Sequence, residues 1–182
     1  MDLKDSGSVR EFETGGRRDS GEGKGRMDLI PWDMVLSVEY LKTDEFVRSA
    51  AYFLKSHDLK AVDAMLEHFI HMAYAPTKGQ CTAACYYTAM LEVSKIYEQG
   101  AVKYGENNWK KGMPTHVYLD CALRHYFKWQ VGWQDESHDR AVVWNLLGLK
   151  WTIENKPELD DIPKQEDKEE DKTDDGGNDI AG

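Results

Sequence analysis

The sequence lacks any apolar run approaching the roughly 20 residues that a membrane-spanning helix needs. Its first 26 residues are polar and rich in glycine, without the apolar segment of a secretory signal peptide. Cysteine is scarce as well, because only Cys81, Cys85 and Cys121 occur, without the paired spacing of a zinc site. These absences argue against a membrane protein and a disulfide scaffold, and we expect a reducing, cytoplasmic location.

Net negative charge is small over most of the chain, although the net charge of the whole sequence is −10. Residues 155–182 carry eleven acidic and four basic residues, which leaves a net charge of only −3 for the preceding residues. We therefore predict a disordered acidic tail at 155–182 behind a nearly neutral domain with its own core. Neither part predicts a nucleic-acid polymer as a direct partner.

Alternating strand patterns and internal repeats are also missing, whereas helical periodicity is widespread. Apolar residues recur at intervals of three and four in five segments, near 31–55, 60–71, 82–104, 114–131 and 135–154. The pattern predicts an all-α bundle of about five helices at 31–154, whose first segment is one long helix or two shorter ones. The last segment is apolar all round between Ala141 and Leu149 except at Asn145, so we expect this helix to be largely buried.

Residues 1–30 form a separate arm with six glycines and almost no apolar side chains. Such a composition cannot build a core element by itself, so the arm is either flexible or pinned by other parts of the protein. Four basic residues stand among glycines whose backbone N–H groups can approach an anion: Arg17, Arg18, Lys24 and Arg26. The composition suits a phosphate-binding loop, although it lacks P-loop spacing and is also typical of a flexible tail.

Polar residues beside the apolar helix faces are the candidate functional groups, and each has two interpretations. Glu98 needs a partner or a cation at the edge of its stripe, or it is simply exposed and pairs with a lysine. Asp120 and Arg124 stand four residues apart, as in a surface ion pair, whereas in a hydrolase they would hold Mg²⁺ and phosphate. His68 and His71, three residues apart, are either a metal pair or ordinary packing residues.

Asn108 and Trp109 lie in a turn, where Trp109 can stack on a purine or close the end of the bundle. Asp135 and Glu136 open the last helix, where acids favour the helix dipole. His138 and Asn145 stand seven residues apart on one face and can project into the same interior cleft. A buried asparagine must be hydrogen-bonded to a neighbouring helix or to a ligand.

Several of these residues fall into a set of motifs. They are Tyr104-Gly105-x-x-Asn108-Trp109-x-x-Gly112, Asp120-x-x-x-Arg124-His125, Asp135-Glu136-x-His138 and Trp144-Asn145-x-x-x-Leu149. The set resembles the mostly phage-borne family of the dATP/dGTP diphosphohydrolase N-terminal domain. The blocks Phe12-x-Thr14-Gly15-x-Arg17-Arg18-Asp19 and Gly23-Lys24-Gly25-Arg26-x-Asp28-Leu29-x-Pro31 are similar to the start of that family.

The resemblance implies Mg²⁺-dependent cleavage of dATP or dGTP to the monophosphate and pyrophosphate. Under this hypothesis the catalytic candidates are Glu98, Glu136 and His138, and the metal candidates are Asp120, Asp135 and Glu136. The substrate-binding candidates are Arg17, Arg18, Lys24, Arg26, Asn108, Trp109, Arg124, His125 and Asn145. Six tryptophans are many for this length, so we expect some of them at the subunit interface of a homo-oligomer.

One departure keeps a second function open. The all-α nucleotide pyrophosphohydrolases similar to MazG carry Glu-x-x-Glu followed by Glu-x-x-Asp, and only the second spacing occurs here, from Glu136 to Asp139. The alternative is therefore a non-catalytic module that binds or sequesters a nucleotide.

Overall fold

The computed structural model describes residues 8–21, 23–75 and 82–163. Its helices are α1 (Trp32–Val35), α2 (Glu39–Lys42), α3 (Glu45–Ser56), α4 (Leu59–Tyr74), α5 (Ala83–Tyr104), α6 (Thr115–Gln130) and α7 (His138–Asn155). Short 3-10 helices span Met27–Leu29, Asn108–Lys111 and Pro157–Leu159. The predicted all-α bundle is confirmed, and no helix of the described residues is long and apolar enough to cross a membrane.

The first predicted helical segment is divided into pieces. The single-turn helices α1 and α2 precede α3. Helix α3 begins after Asp44, and the Asp44 side chain caps it by accepting a hydrogen bond from the Val47 backbone N–H at 3.1 Å. His57 ends α3 in the left-handed conformation, with φ 55°. Asp58 then caps α4 by accepting from the Lys60 N–H at 2.9 Å, so two aspartates and one left-handed residue set these boundaries.

Helix α6 lies at the centre of the bundle. Eleven of its sixteen residues are buried, including every residue from Val117 to Tyr126. Phe46 of α3 stacks on Tyr126 with ring centroids 3.9 Å apart, and α7 packs along the opposite side. Because α6 has no solvent face over these turns, its polar residues Asp120, Arg124 and His125 lie inside the protein. Helix α7 is largely buried as well, as predicted.

The arm is pinned to the bundle through an antiparallel hairpin of β1 (Val9–Glu11) and β2 (Arg17–Asp19). In its turn the Phe12 N–H donates to the Gly16 carbonyl at 2.9 Å, with Gly15 at φ 75°. Phe12 is buried and anchors the hairpin in the core. The sequence did not predict these strands because three residues are too few to show an alternating pattern.

The acidic segment differs from the prediction over its first residues. Residues 155–163 are ordered: Ile162 is buried, and Asp160 accepts a hydrogen bond from the Thr115 hydroxyl at 2.8 Å. The Asp161 carboxylate accepts from the His116 backbone N–H at 3.0 Å. Both acids therefore satisfy groups in the first turn of α6, where the helix dipole favours negative charge. The rest of the predicted tail, 164–182, lies outside the described residues.

Alanine substitutions at two glycines inside helices should change the free energy of unfolding in opposite directions. A Cβ at Gly148 would lie 2.5 Å from the buried Tyr118 ring, whereas a Cβ at Gly100 has no atom within 4 Å. We expect Gly148→Ala to lower the free energy of unfolding by about 1–3 kcal/mol through overpacking. Gly100→Ala should raise it by up to about 1 kcal/mol through helix propensity. Urea unfolding of both variants tests this, and a stabilised Gly148→Ala would contradict the packing.

Candidate functional site

A cleft of about 1220 Å³ opens between the arm and helices α5, α6 and α7. The hairpin and the glycine-rich loop after it form one wall, and the C-terminal end of α5 with the turn after it forms another. The space is ample for a nucleotide, since small-molecule pockets usually measure about 300–1,000 Å³. Eleven residues singled out from the sequence line it: Arg17, Arg18, Lys24, Arg26, Asn108, Trp109, Asp120, Arg124, His125, Glu136 and Asn145.

The side chain of Asn108 fixes the hairpin beside the cleft. Its Oδ1 accepts from the Arg17 backbone N–H at 3.2 Å, and its Nδ2 donates to the Arg17 carbonyl at 2.9 Å. Asp19 on the same strand accepts from Lys103 Nζ and from the Tyr104 hydroxyl, both at 2.6 Å. The amide of Asn108 thus hydrogen-bonds to the Arg17 backbone through both its oxygen and its nitrogen, and its role in substrate binding stays a prediction.

Asp120 and Arg124 form the ion pair that their spacing suggested, but the pair is buried. Arg124 Nη1 lies 2.6 Å from Asp120 Oδ2 and donates to the Gly25 carbonyl at 3.1 Å. The other Asp120 oxygen accepts from the Met27 backbone N–H at 2.6 Å. Both side chains therefore hold residues 25–27 of the arm against α6. Each oxygen of Asp120 thus already accepts a hydrogen bond, and its role as a metal ligand stays a prediction from the sequence.

His125, Glu136 and His138 form a compact cluster at the base of the cleft. The Nδ1 atoms of the two histidines are 2.9 Å apart, and Glu136 Oε1 lies 3.6 Å from His125 Nδ1 and 3.8 Å from His138 Nδ1. Burial lowers the pKa of His125 well below its ordinary range, so this imidazole is neutral. Among the described residues, these three are the group of possible metal ligands whose atoms lie within 4.8 Å of one another.

Asp135 lies behind this cluster rather than in the cleft. Its carboxylate accepts from Lys128 Nζ at 2.9 Å and from His138 Nε2 at 2.8 Å. The hydrogen bond from Lys128 is the main reason that the pKa of Asp135 falls to about 2. The predicted metal set of Asp120, Asp135 and Glu136 therefore does not converge, because the first two carboxylates are each held by a separate cation.

The structure leaves Glu98 outside the cleft as well. Its side chain is exposed on α5, and the neighbouring lysines pair elsewhere, Lys95 with Glu92 and Lys103 with Asp19. Its predicted catalytic role has no support in the geometry. Of His68 and His71, for which a metal pair and ordinary packing were the two interpretations, His71 hydrogen-bonds through Nε2 to the Tyr86 hydroxyl at 2.9 Å.

Two residues that line the cleft each carry a buried polar atom with no hydrogen-bond partner among the described residues. These atoms are Nη1 of Arg18 and Oδ1 of Asn145. Asn145 is only 2% exposed, and its Nδ2 donates to the Ala141 carbonyl at 2.8 Å, which fixes the amide with Oδ1 pointing away from that carbonyl. Unsatisfied buried atoms are costly in a folded protein. Buried atoms of His57, Arg140 and Thr152 also lack a partner among the described residues, but these residues do not line the cleft. The position of Arg18 and Asn145 in the cleft makes them candidate ligand contacts.

Aromatic side chains line the same cleft. Trp109 packs edge-to-face on Tyr97 and on Trp151, with centroids 5.7 and 5.1 Å away, so it closes the end of the bundle and also faces the cleft. The Arg18 guanidinium lies 5.8 Å from the Trp144 ring. Sequence reasoning missed five further lining residues, Arg10, Tyr97, Lys103, His116 and Trp144. The two aromatic ones stand on apolar helix faces, where the pattern indicates only a core.

Breaking the buried Asp120–Arg124 pair should detach the arm from α6. We expect Asp120→Ala to lower the free energy of unfolding by about 3 kcal/mol, because it leaves Arg124 buried without its counter-charge. Trypsin should then cut faster at the arm residues Arg17 to Arg26. The matched control is Asp63→Ala, which removes a more exposed pair with Lys150 and should cost less than about 1 kcal/mol. Equal effects in urea unfolding would mean that burial of the pair is unimportant.

Comparison with known proteins identifies one family whose model matches the chain. The model described as "dATP/dGTP diphosphohydrolase, N-terminal" matches residues 71–162, just over half of the chain. The matched span contains α5, α6, α7 and the cluster of His125, Glu136 and His138, but not the arm. Searches of curated proteins and of solved structures give no significant match. The chain therefore belongs to the family of dATP/dGTP diphosphohydrolase N-terminal domains.

Proposed function

We propose that the cleft binds a purine deoxynucleoside triphosphate and that the protein hydrolyses it to the monophosphate and pyrophosphate with a divalent cation. Family membership supports the substrate class and the reaction type. The observation that carries the proposal is the pair of unpartnered buried atoms, Arg18 Nη1 and Asn145 Oδ1, in one cleft. A nucleotide offers acceptors on its phosphates and donors on its base, so it matches both.

The basic residues of the arm are proposed to hold the phosphates. Arg18 has a donor available, and Lys24 lines the cleft beside it. Arg17 pairs with Glu11, and both side chains are about half exposed, at 51% and 55%. Exposed pairs contribute only about 0–1 kcal/mol, so Arg17 can exchange this carboxylate for phosphate at little cost. Arg26 is also 51% exposed, but its partner Asp28 is only 8% exposed, so Arg26 is proposed to contact phosphate while it keeps that pair.

The base is assigned to the aromatic part of the cleft. Tyr97, Trp109 and Trp144 provide apolar ring surface on which a purine can pack. Asn145 Oδ1 can accept a hydrogen bond from an N–H of the base, because it has no other donor among the described residues. Adenine and guanine both offer such an N–H, so this contact is compatible with either.

The reaction joins a water oxygen to the α-phosphorus and breaks its bond to the oxygen bridging to the β-phosphate. Pyrophosphate leaves, and the proton of the water is released. A divalent cation would neutralise phosphate oxygens and orient or activate the water. Glu136 remains the candidate catalytic carboxylate, because it lines the cleft and Asp135 does not.

A second candidate function is nucleotide binding without turnover. It is favoured by the neutralisation of Asp120 and Asp135, each by a cation of its own, which leaves few carboxylates for catalysis. Self-association and a cytoplasmic location stay predictions from the sequence.

Incubation of the full chain with each of the four deoxynucleoside triphosphates, with Mg²⁺, Mn²⁺, Co²⁺ or no metal, tests the function. Chromatography should show pyrophosphate and monophosphate from dATP and dGTP only when a divalent cation is present. Arg18→Ala should weaken triphosphate binding in calorimetry by about 10–100-fold, the loss of one charge-assisted hydrogen bond. The control is Arg48→Ala, which removes an exposed arginine paired with Glu45 on α3. Tight binding without products would establish the second candidate, and unchanged binding by Arg18→Ala would remove the arm from the site.

Replacement of Asn145 should affect nucleotide binding much more than it affects the stability of the fold. Asn145→Ala removes an unsatisfied buried acceptor and adds a strong helix former, so the free energy of unfolding should change by less than about 1 kcal/mol. Nucleotide affinity should nevertheless fall about tenfold. Asn155→Ala is the matched control, because Asn155 also donates to the carbonyl four residues earlier in α7 but lies exposed at its end. A large loss of stability with unchanged affinity would make Asn145 a structural residue.

A further inference from the structure

The metal ligands that the fold provides differ from those that Mg²⁺ prefers. Mg²⁺ is bound mainly by oxygen ligands and keeps several waters. The carboxylates expected to supply those oxygens are occupied, since Asp120 accepts from Arg124 and Met27, and Asp135 accepts from Lys128 and His138. The described residues therefore do not fit a site built from three carboxylates.

We propose that His125, Glu136 and His138 hold a divalent transition-metal ion of the Mn²⁺, Co²⁺ or Zn²⁺ class at the base of the cleft. Two imidazoles and one carboxylate favour these ions, because imidazole nitrogen suits them better than it suits Mg²⁺. The catalytic meaning of this site rests on the proposed function, whereas metal binding itself does not.

The spacing of the three ligand atoms is close to what such an ion needs. Ligand atoms about 2.0–2.1 Å from a tetrahedral ion stand about 3.3 Å from one another. The observed separations are 2.9 Å between the two Nδ1 atoms and 3.6 and 3.8 Å from them to Glu136 Oε1. Small side-chain rotations would therefore bring all three atoms to bonding distance.

Asp135 is a positioning residue for His138. Its carboxylate can only accept, so the 2.8 Å contact places a proton on His138 Nε2 and leaves the Nδ1 lone pair facing the cluster. A carboxylate behind a ligating histidine is the usual arrangement around protein-bound metals. Lys128 holds Asp135 from the other side, and its Nζ lies a looser 3.6 Å from Glu136 Oε1.

The three proposed ligands differ in their access to the cleft. His138 is 2% exposed and does not line the cleft, whereas His125 and Glu136 do. An ion held by the three residues would therefore lie beside the cleft proposed to bind the nucleotide. Three protein ligands with an open position are typical of a catalytic metal ion rather than a structural one.

Titration of the nucleotide-free full chain with Co²⁺, followed by its visible ligand-field absorption, tests the inference. One Co²⁺ per chain should bind, and excess Mg²⁺ should not displace it. His138→Ala should weaken Co²⁺ binding at least about 100-fold, and Asp135→Asn about 10–100-fold through the lost charge behind the imidazole. His71→Ala, which removes a histidine outside the cluster, should bind Co²⁺ as the parent protein does.

Circular dichroism verifies that the variants are folded. If His138→Ala is unfolded, Asp135→Asn decides the matter, because the Asp135 side chain is 37% exposed and its replacement disturbs no core packing. Undiminished Co²⁺ binding in the folded variants, ready displacement by Mg²⁺, or no Co²⁺ binding by the parent protein would overturn the metal site. Calorimetry with dATP separates the two proposals, because nucleotide binding without a Co²⁺ site overturns only the metal inference. A Co²⁺ site without nucleotide binding overturns only the proposed function.

Discussion

The buried ion pair between Asp120 and Arg124 holds residues 25–27 of the arm against α6, and the arm forms one wall of the cleft. Removing two charges from water costs several kcal/mol per ion, which is recovered only when the remaining donors and acceptors are also satisfied. The arm provides those groups through the Gly25 carbonyl and the Met27 N–H. The pair and the arm therefore complete each other, because neither is fully hydrogen-bonded alone.

The same constraint shapes the electrostatics of the cleft. Because Asp120 and Arg124 neutralise each other, they contribute little net charge, and the basic residues of the arm dominate the wall above them. Arg18 keeps an unpartnered donor there, and Asn145 keeps an unpartnered acceptor. A protein optimised only for stability would satisfy or remove both atoms, which is why they are the contacts proposed for a ligand.

The sequence predicted the helices well and the contacts between them poorly. Apolar periodicity located the bundle, and the position of Asn145 on an otherwise apolar helix correctly indicated that its amide is buried. The spacing of Asp120 and Arg124 also predicted their pairing, but a pair four residues apart looks the same on a surface helix and on a central one. Their role in holding the arm depends on the burial of α6, which the local sequence does not reveal.

The cluster of His125, Glu136 and His138 shows a second limit of the sequence. All three residues were singled out, but not as one metal site, because His125 belongs to α6 and the other two follow the turn after it. Only the antiparallel packing of α6 against α7 brings the two Nδ1 atoms together. Hairpins of two helices place the end of one beside the start of the next, so polar residues flanking such a turn are better candidates for a shared site than their separation suggests.

Helix α7 connects the cluster of His125, Glu136 and His138 to the cleft residue Asn145. His138 and Asn145 are seven residues apart, which corresponds to a rise of about 10 Å along the helix. One residue belongs to the imidazole cluster, and the other offers its acceptor near the aromatic rings. The separation is comparable to the distance between a purine base and its α-phosphate. Helix α7 therefore sets the distance between the residue proposed to contact the base and the cluster proposed to hold the metal ion.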